Sequence, residues 1–370
     1  MKSILIVLLL ISLSCSSIKK ISPAYVSNNI ETNVLSNIQS ELITNTINNF
    51  PNHSEFAIAV VENDKVKFYG LKRENDTLQK SENAESFFEI GSLTKVFTAH
   101  LLLNLINNGQ IKSINEPINP YLDFKIKGEP EISFLQLANH TSGLPGDLNV
   151  NIFSTDISNP YKNYNKEKFV NFLSEKVELE SKPGEKYQYS NVGVALLGYT
   201  LRQITSKDYE SLLQGEIFKL IGMDNSTSIR NKLNGKLVSG FNWKGKPTPY
   251  WDLAEMNGAG AILSNVSELS KYAIWNFNAL NKELSAMTKK TFSVTDNTDV
   301  SIGWHIIKNK TKKEFLWHNG GTGGFKSSMG INPYNKTSVI VLTNVGATNN
   351  PKKGLIDKLC FDLMKSIEKE

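Results

Sequence analysis

Cysteine is nearly absent from this chain: only Cys15 and Cys360 occur among its 370 residues. Two cysteines exclude a framework of several disulfide bonds and a zinc site built from thiolates. The His-Glu-x-x-His signature of zinc hydrolases and the Gly-x-Ser-x-Gly signature of α/β-hydrolases are also missing. The sequence therefore predicts no metal site and no cofactor.

Long apolar runs are scarce as well, and the longest one, residues 4–13, is too short to span a membrane. Lys2 precedes this run, and the small residues Ser12 and Ser14 flank its end, which is typical of a signal peptide. Cys15 comes next and resembles the cysteine of bacterial lipoprotein signals, which is acylated and becomes the first residue. The match departs from that pattern at Ser12, where a leucine is usual.

We therefore expect a signal peptide over residues 1–14 and a lipoprotein tether over residues 15–29. The expected location is outside the cytoplasm, with a lipid on Cys15 anchoring the protein to a membrane and the chain facing the periplasm or the cell exterior. A secreted protein with one free N-terminal thiol is the alternative that the sequence leaves open.

Charge of one sign is not in large excess. The formal net charge is +5, and lysine and glutamate residues are interspersed without a long basic run, so no nucleic-acid partner is predicted. Hydrophobic residues make up 40% and charged residues 21% of the chain, as in ordinary soluble domains. A chain of this length can form two units with their own cores, and we expect a monomer.

Hydrophobic periodicity places strands near both ends of the chain and helices between them. The predicted strands cover residues 56–61, 65–69, 303–307, 314–318, 327–331 and 338–342. The predicted helices include residues 30–50, residues 263–280 and a closing helix from about residue 351. This order predicts an α+β fold with one antiparallel sheet built from both chain ends and flanked by helices. The sheet domain is predicted over residues 30–91 and 296–370, with a mostly helical domain inserted at residues 92–295.

The first candidate motif is FEIGSLTK at residues 88–95, which precedes an apolar stretch at residues 96–106. That stretch predicts a buried helix, with Ser92 at its start and Lys95 one turn away on the same face. The helix dipole favours negative charge on the hydroxyl, and a desolvated amine can be neutral enough to accept its proton. Ser92 is therefore the candidate nucleophile and Lys95 its base. A capping serine beside a solvated lysine is the ordinary alternative for so short a motif.

The second motif, Tyr-x-Asn, places Tyr189 and Asn191 before another apolar stretch at residues 192–198. A phenol can relay a proton when cations lie nearby, and an amide can hold a substrate carbonyl or the lysine. The pair is also typical of a helix cap beside a packed aromatic ring. A second Tyr-x-Asn match at residues 161–163 lies in a polar loop and is not expected to be functional.

The third motif is a glycine run at the end of a predicted strand, WHNGGTGGF at residues 317–325. Glycine lets the backbone approach a ligand closely, and an N–H group there could form an oxyanion hole with that of Ser92. His318 adds a donor or a cation at the strand end. A glycine-rich turn beside a half-buried histidine would explain this stretch if it stood alone.

These motifs, together with NHTSGLP at residues 139–145, resemble those of the serine β-lactamase and penicillin-binding superfamily. The resemblance is strongest to the class C β-lactamase-related branch, which includes D-Ala-D-Ala carboxypeptidases and esterases, and it covers roughly residues 55–344. It implies a β-lactamase/transpeptidase-like fold in which Ser92 is acylated, Lys95 is the base and Tyr189 relays the proton. It also implies substrate contacts from Asn191, His318, Asn319, Gly320 and Gly321, with the amides of Ser92 and Gly321 forming the oxyanion hole.

The third motif departs from the family pattern, because class C β-lactamases carry Lys-Thr-Gly where this chain has His318-Asn319-Gly320. A fixed cation and a hydroxyl for a substrate carboxylate are missing. The resemblance implies a hydrolase that forms an acyl-enzyme on small-molecule or peptidoglycan-derived substrates, namely D-Ala-D-Ala-type peptides or β-lactams. A small-ester esterase and a non-catalytic penicillin- or muropeptide-binding lipoprotein stay open as alternatives.

The lipoprotein signal leads to a first prediction. Changing Cys15→Ser removes the thiol that would carry the lipid, so the protein should move from the membrane fraction to the soluble fraction. Immunoblots of fractionated cells measure this shift. A wild-type protein that is already soluble would contradict the lipoprotein prediction.

Overall fold

The computed structural model describes residues 25–26, 35–148, 158–278, 281–308 and 314–367. The helices in these ranges are α1 Asn37–Ile47, α2 Thr94–Asn107, α3 Phe134–Ala138, α4 Lys166–Asn171, α5 Asn191–Thr205, α6 Tyr209–Leu213, α7 Lys219–Ile221, α8 Asn257–Gly260, α9 Val266–Trp275, α10 Lys282–Met287 and α11 Gly354–Ile367. The strands are β1 Tyr25–Val26, β2 Glu55–Glu62, β3 Lys65–Glu74, β4 Thr77–Lys80, β5 Phe88–Glu89, β6 Leu263–Ser264, β7 Phe292–Thr295, β8 Thr298–Val300, β9 His305–Lys308, β10 Glu314–Gly321, β11 Lys326–Asn332 and β12 Thr337–Thr343. The predicted signal peptide and Cys15 lie outside the described residues.

Ten of these strands form one sheet in the order β1-β4-β3-β2-β12-β11-β10-β9-β8-β7. All neighbours pair antiparallel except β1 and β4. Early strands therefore meet late strands in the middle of the sheet, where the whole of β12 pairs with Phe56–Glu62 of β2. This confirms the predicted α+β fold with a sheet built from both chain ends. The domain division at residues 91/92 and 295/296 stays a prediction; β7, which ends at Thr295, pairs with β8.

Helices pack on both faces of the sheet. Alternate residues of a strand point to opposite sides, so one strand contributes to both cores. In β2, Ala57 and Ala59 belong to a core shared with α2 and α5. Phe56 and Ile58 point the other way, into a second core with α1 and α11. The two terminal helices thus cover one face, and the central, mostly helical part of the chain covers the other.

Helix α2 lies inside the larger core and is buried on nearly every side, as its apolar sequence predicts. Its two threonines bind the segment that carries α8. The Thr98 hydroxyl donates to the Gly258 carbonyl at 2.6 Å, and the Thr94 hydroxyl accepts from the Ile262 N–H at 3.1 Å. These bonds fix the backbone around Ala259 beside the start of α2.

The prediction of a helix over residues 263–280 is wrong at its start. Asn265 caps α9 by accepting from the Glu268 N–H, so the helix begins at Val266. The two residues before this cap, Leu263 and Ser264, instead form strand β6, which pairs antiparallel with β5. That pairing holds the chain immediately before residues 90–92. Strands β4, β7 and β8 were not predicted, because they are short and largely polar.

Close packing of α5 against α8 leads to a stability prediction. A Cβ added at Gly198 would lie 3.1 Å from the Gly258 Cα, whereas one added at the exposed Gly215, in the π-helical turn Gln214–Phe218, would meet no atom within 4 Å. Gly198→Ala should lower the free energy of unfolding by about 1 kcal/mol or more through crowding. The matched variant Gly215→Ala should raise it by about 0.5–1 kcal/mol, because alanine favours helix. Urea unfolding of both variants measures this, and equal shifts would contradict the packing argument.

Candidate active site

Ser92 and Lys95 meet at the start of α2, as their spacing predicts. Ser92 lies in a 3-10 turn, Gly91–Leu93, that leads directly into the helix. The Lys95 Nζ donates to the Ser92 Oγ at 2.9 Å and to the Ala259 carbonyl at 2.7 Å. Lys95 is only 1% exposed, so its amine is aimed at these two oxygens and is withdrawn from bulk water.

The environment of Lys95 favours its neutral form. Burial lowers the pKa of Lys95 to about 7, and the negative charge of Asp147 opposes this shift in part. A substantial fraction of the amine is then uncharged near neutral pH. A neutral amine 2.9 Å from a hydroxyl can accept its proton when the oxygen attacks a carbon centre.

Tyr189 lies on the other side of this amine, with the Lys95 Nζ 5.1 Å from the centre of its ring. Burial raises the pKa of Tyr189, and a hydrogen bond with Ser92 lowers it in part. The phenol therefore stays protonated near neutral pH. Its geometry suits it to pass a proton on, whereas Lys95 is the group that can accept one first.

The second motif packs against the turn at residues 139–147 and is hydrogen-bonded to it. The Ser190 N–H donates to the His140 Nδ1 at 3.1 Å, and the Asn191 N–H donates to the Gly146 carbonyl at 2.8 Å. The His140 ring packs on the Tyr189 ring with their centres 4.4 Å apart. The NHTSGLP stretch thus positions Tyr189 and Asn191, a task that its sequence alone did not reveal.

Backbone contact between β10 and the Ser92 turn depends on two glycines. A Cβ added at Gly320 would lie 1.9 Å from the Ile90 carbonyl oxygen and 2.8 Å from the Ser92 nitrogen. Gly91 has φ +53°, and a Cβ there would lie 2.6 Å from the Gly321 nitrogen. Ser92 and Gly321 line the same cleft. Their role as an oxyanion hole stays a prediction.

His318 is fully buried behind Tyr189, with the ring centres 6.3 Å apart. Its Nδ1 bonds the Asn319 carbonyl at 2.7 Å and must carry the proton, because a carbonyl only accepts. Burial, with the charges of His305 and Lys95, holds the pKa of His318 well below its usual range. His318 therefore brings a neutral ring, and not a cation, to the third motif.

The predicted contact of Asn319 with substrate stays a prediction, and its side-chain amide is bound to a different partner. Its amide donates to the Asp357 Oδ2 at 3.0 Å on α11, and Lys326 forms an ion pair with the same carboxylate at 3.0 Å. Successive residues of a strand face opposite sides, so His318 points to the helical side while Asn319 points to α11. This amide joins the third motif to the terminal helix.

Several cleft residues were not found from the sequence. Ser92, Asn191 and Gly321 share the cleft with Gly91, Tyr161, Trp251, Leu253, Met256, Ala259, Gly260 and Thr322. Tyr161 belongs to the Tyr-x-Asn match that was set aside as a polar loop. Trp251 is held by Glu89, whose carboxylate accepts the Trp251 N–H at 2.8 Å, and burial raises the pKa of Glu89 to about 7. Gly91 and Thr322 lie within the first and third motifs, but no local pattern marked the cleft residues between 251 and 260.

The chain is similar to known proteins. A model of the Beta-lactamase family matches residues 43–358. The chain belongs to the Beta-lactamase family.

Two curated relatives of this family member are "Protein flp" of Staphylococcus aureus (strain MW2) and "Beta-lactamase-like protein 4" of Dictyostelium discoideum. The first is 25% identical over 317 residues, which cover 80% of this chain and 60% of the relative. The second is 29% identical over 315 residues, which cover 75% of this chain and 54% of the relative. The chain thus spans 60% or less of the length of these two proteins.

Two solved structures share the fold. A penicillin-binding protein homologue from Pyrococcus abyssi, described as octameric, has a TM-score of 0.72 at 22% identity, covering 88% of this chain and 77% of its own. A class C β-lactamase from Rhodobacter sphaeroides has a TM-score of 0.73 at 17% identity, covering 90% of this chain and 100% of its own. At these identities the likeness concerns the fold alone.

Neither a metal-binding group nor a membrane-spanning helix is found in the described part of this Beta-lactamase family chain. Its histidine, cysteine, aspartate and glutamate residues form no group of three or more that could hold a metal ion. Among the same residues, no helix has the length and apolar character needed to cross a membrane.

The buried amine leads to a prediction about Lys95→Met. Acylation of Ser92 should be abolished, because the nearest proton acceptor is removed. Stability should not fall: a buried lysine with a lowered pKa destabilises the fold most at and below pH 7, and this penalty fades towards its ordinary pKa of 10.5. Intact-mass spectrometry and thermal melts measure the two effects. A variant that acylates at the wild-type rate would remove Lys95 from the mechanism.

The same amine sets an expected pH dependence. The acylation rate should rise with pH and reach half of its maximum near pH 7, because the protonated amine cannot accept a proton. Glu89 titrates in the same range, so Glu89→Gln is the control. Stopped-flow acylation should keep its midpoint in that variant. A midpoint that disappears with Glu89 would assign the titration to the carboxyl group.

Proposed function

We propose that this protein is a serine hydrolase that works through an acyl-enzyme on Ser92. The observation that carries the proposal is the buried Lys95 amine, 2.9 Å from the Ser92 hydroxyl and with a pKa of about 7. A serine beside a partly neutral base, at the floor of a cleft, has the arrangement that nucleophilic catalysis requires. A purely binding protein would have no need of a lysine desolvated in this way.

In the proposed reaction, the Ser92 oxygen attacks the substrate carbonyl carbon while Lys95 takes the hydroxyl proton. The oxyanion that forms would be held by the backbone N–H groups of Ser92 and Gly321. Tyr189 then gives its proton to the leaving amine or alcohol as the scissile bond breaks and takes up the proton held by Lys95, which leaves an ester on Ser92. In the second half, water attacks this ester; one water proton passes through the same groups to the Ser92 oxygen as the acyl C–O bond breaks, which frees the acid and restores the serine.

The third motif guides the choice of substrate. A lysine and a threonine at this position would clamp a carboxylate, each charge-assisted bond contributing about 1.5–3 kcal/mol. This chain has a neutral, buried His318 and an Asn319 amide that is bound to Asp357. We therefore propose slow hydrolysis of D-Ala-D-Ala-type cell-wall peptides or small esters, with weak turnover of β-lactams. The neutral third motif also supports the small-ester alternative.

The proposed setting is outside the cytoplasm on a membrane, and it is supported by residues 1–15 of the sequence alone. Substrates derived from peptidoglycan are accessible there. This setting and the reaction are independent proposals, since Cys15 lies outside the described residues and takes no part in the cleft.

The test compares three substrates by intact-mass spectrometry and steady-state kinetics: nitrocefin, a D-Ala-D-Ala peptide and p-nitrophenyl butyrate. We expect an adduct on wild-type protein, none on Ser92→Ala, and the lowest kcat/KM on nitrocefin. Nitrocefin turnover orders of magnitude above the other two would make the protein an efficient β-lactamase and overturn the substrate assignment. Absence of any Ser92-dependent adduct would overturn the hydrolase proposal itself.

A further inference from the structure

The side-chain amide of Asn191 is oriented by a carboxylate. Its Nδ2 lies 3.3 Å from the Asp147 Oδ2, and Asn191 lines the cleft beside Ser92. A carboxylate only accepts hydrogen bonds, so the NH₂ group must face Asp147. The Asn191 carbonyl oxygen then points away from Asp147 and can accept a hydrogen bond from a ligand, while the second N–H of the amide is still a donor. The second motif can therefore offer an acceptor, suited to an N–H group, beside a donor.

Asp147 is itself held in place. The Tyr161 hydroxyl donates to its Oδ2 at 2.6 Å, and the Leu148 N–H donates to its Oδ1 at 2.9 Å. The side chain is half-buried, and its negative charge acts on the cleft, raising the pKa of both Lys95 and Tyr161. A fixed carboxylate therefore stands directly behind two residues of the cleft wall, Tyr161 and Asn191.

Two aromatic rings complete this end of the cleft. Tyr161 and Trp251 both line it, with ring centres 5.5 Å apart and planes at 76°. Aromatic faces attract ammonium groups, and the attraction grows when a carboxylate stands nearby. The described residues that line the cleft include no lysine or arginine. An anionic group here would meet the field of Asp147. Of the cations beside the cleft, Lys95 is partly neutral near pH 7, and Arg230, which donates to the Trp251 carbonyl, is paired with Asp252.

We propose that Asp147, Tyr161, Asn191 and Trp251 form a subsite for a free amino group on the acyl part of the substrate. The favoured substrates are then aminoacyl amides and esters whose amine is unblocked, and acyl groups that carry a carboxylate are rejected. The amine donates to the Asn191 carbonyl oxygen, its positive charge is balanced by Asp147, and the carbonyl of the same aminoacyl group faces Ser92. This inference rests on the proposed acyl-enzyme function and narrows its substrate class to short aminoacyl compounds, such as free D-Ala-D-Ala or small aminoacyl esters, in preference to longer cell-wall peptides, in which this amine is acylated.

The test uses three p-nitroanilides that differ only at the nitrogen: D-alanine p-nitroanilide, its N-acetyl derivative and its N-succinyl derivative, which are cationic, neutral and anionic. The wild-type protein should show kcat/KM in that order, with at least about a tenfold gap between the first and last. The L-alanine set is measured in parallel, so that chirality does not hide the effect of charge. Equal kcat/KM within each set would overturn the subsite.

Two variants test whether Asp147 is the source of the preference for cationic substrates. Asp147→Asn should collapse the ratio between cationic and anionic substrates at least about tenfold, since it removes the charge and keeps the shape. The matched control is Asp123→Asn, because Asp123 likewise accepts a tyrosine hydroxyl, that of Tyr199 at 2.5 Å, but does not line the cleft. The control should keep the wild-type ratio, and a ratio that survives in Asp147→Asn would overturn the assignment.

A butyrate ester separates the two proposals. If p-nitrophenyl butyrate acylates Ser92 while the three anilides of a set react equally, the subsite is wrong and the hydrolase proposal stands. If no ester or anilide acylates Ser92, the hydrolase proposal fails first. Thermal melts of Asp147→Asn verify that a changed ratio belongs to a folded protein.

Discussion

The desolvation of one lysine is the constraint on which the rest of the site depends. An amine in water would be charged near neutral pH, and only burial brings the pKa of Lys95 to about 7. For the amine to be buried, α2 must lie inside the core and α8 must be held against the first turn of α2. The hydrogen bonds of Thr98 with Gly258 and of Lys95 with Ala259 hold α8 there. The apolar helix is therefore part of the chemistry, because it supplies the medium in which the amine can accept a proton.

Much of the fold could be predicted, since it rests on periodicity that is visible in the chain. The β2–β3 hairpin, strands β9 to β12 and helix α2 have strong apolar patterns, and each lies within a few residues of where the pattern placed it. The failures were short elements whose pairing is decided by distant residues. Leu263 and Ser264 look like the beginning of a helix, but the Asn265 cap and the partner strand β5 make them a strand.

In the candidate site, too, some contacts follow from sequence spacing and others depend on the tertiary fold. Ser92, in the 3-10 turn, and Lys95, in the first turn of α2, are three residues apart, so their meeting follows from sequence spacing. The direction of the Asn319 amide and the approach of Asp147 to Asn191 depend on which faces of the fold are covered by α11 and by the turn at residues 139–147. Such contacts join residues far apart in sequence, and no local pattern carries information about them.

The pairing of β2 with β12 has a consequence for how the protein is made. A chain synthesised from its N-terminus holds the edge of β2 open until Thr337–Thr343 has emerged, so the centre of the sheet is the last part to close. Contacts of such long sequence separation slow folding. Strand β10, which completes the cleft beside Ser92, arrives only shortly before β12. The nucleophile is therefore translated early but remains without its finished cleft until β10, β11 and β12 have been synthesised.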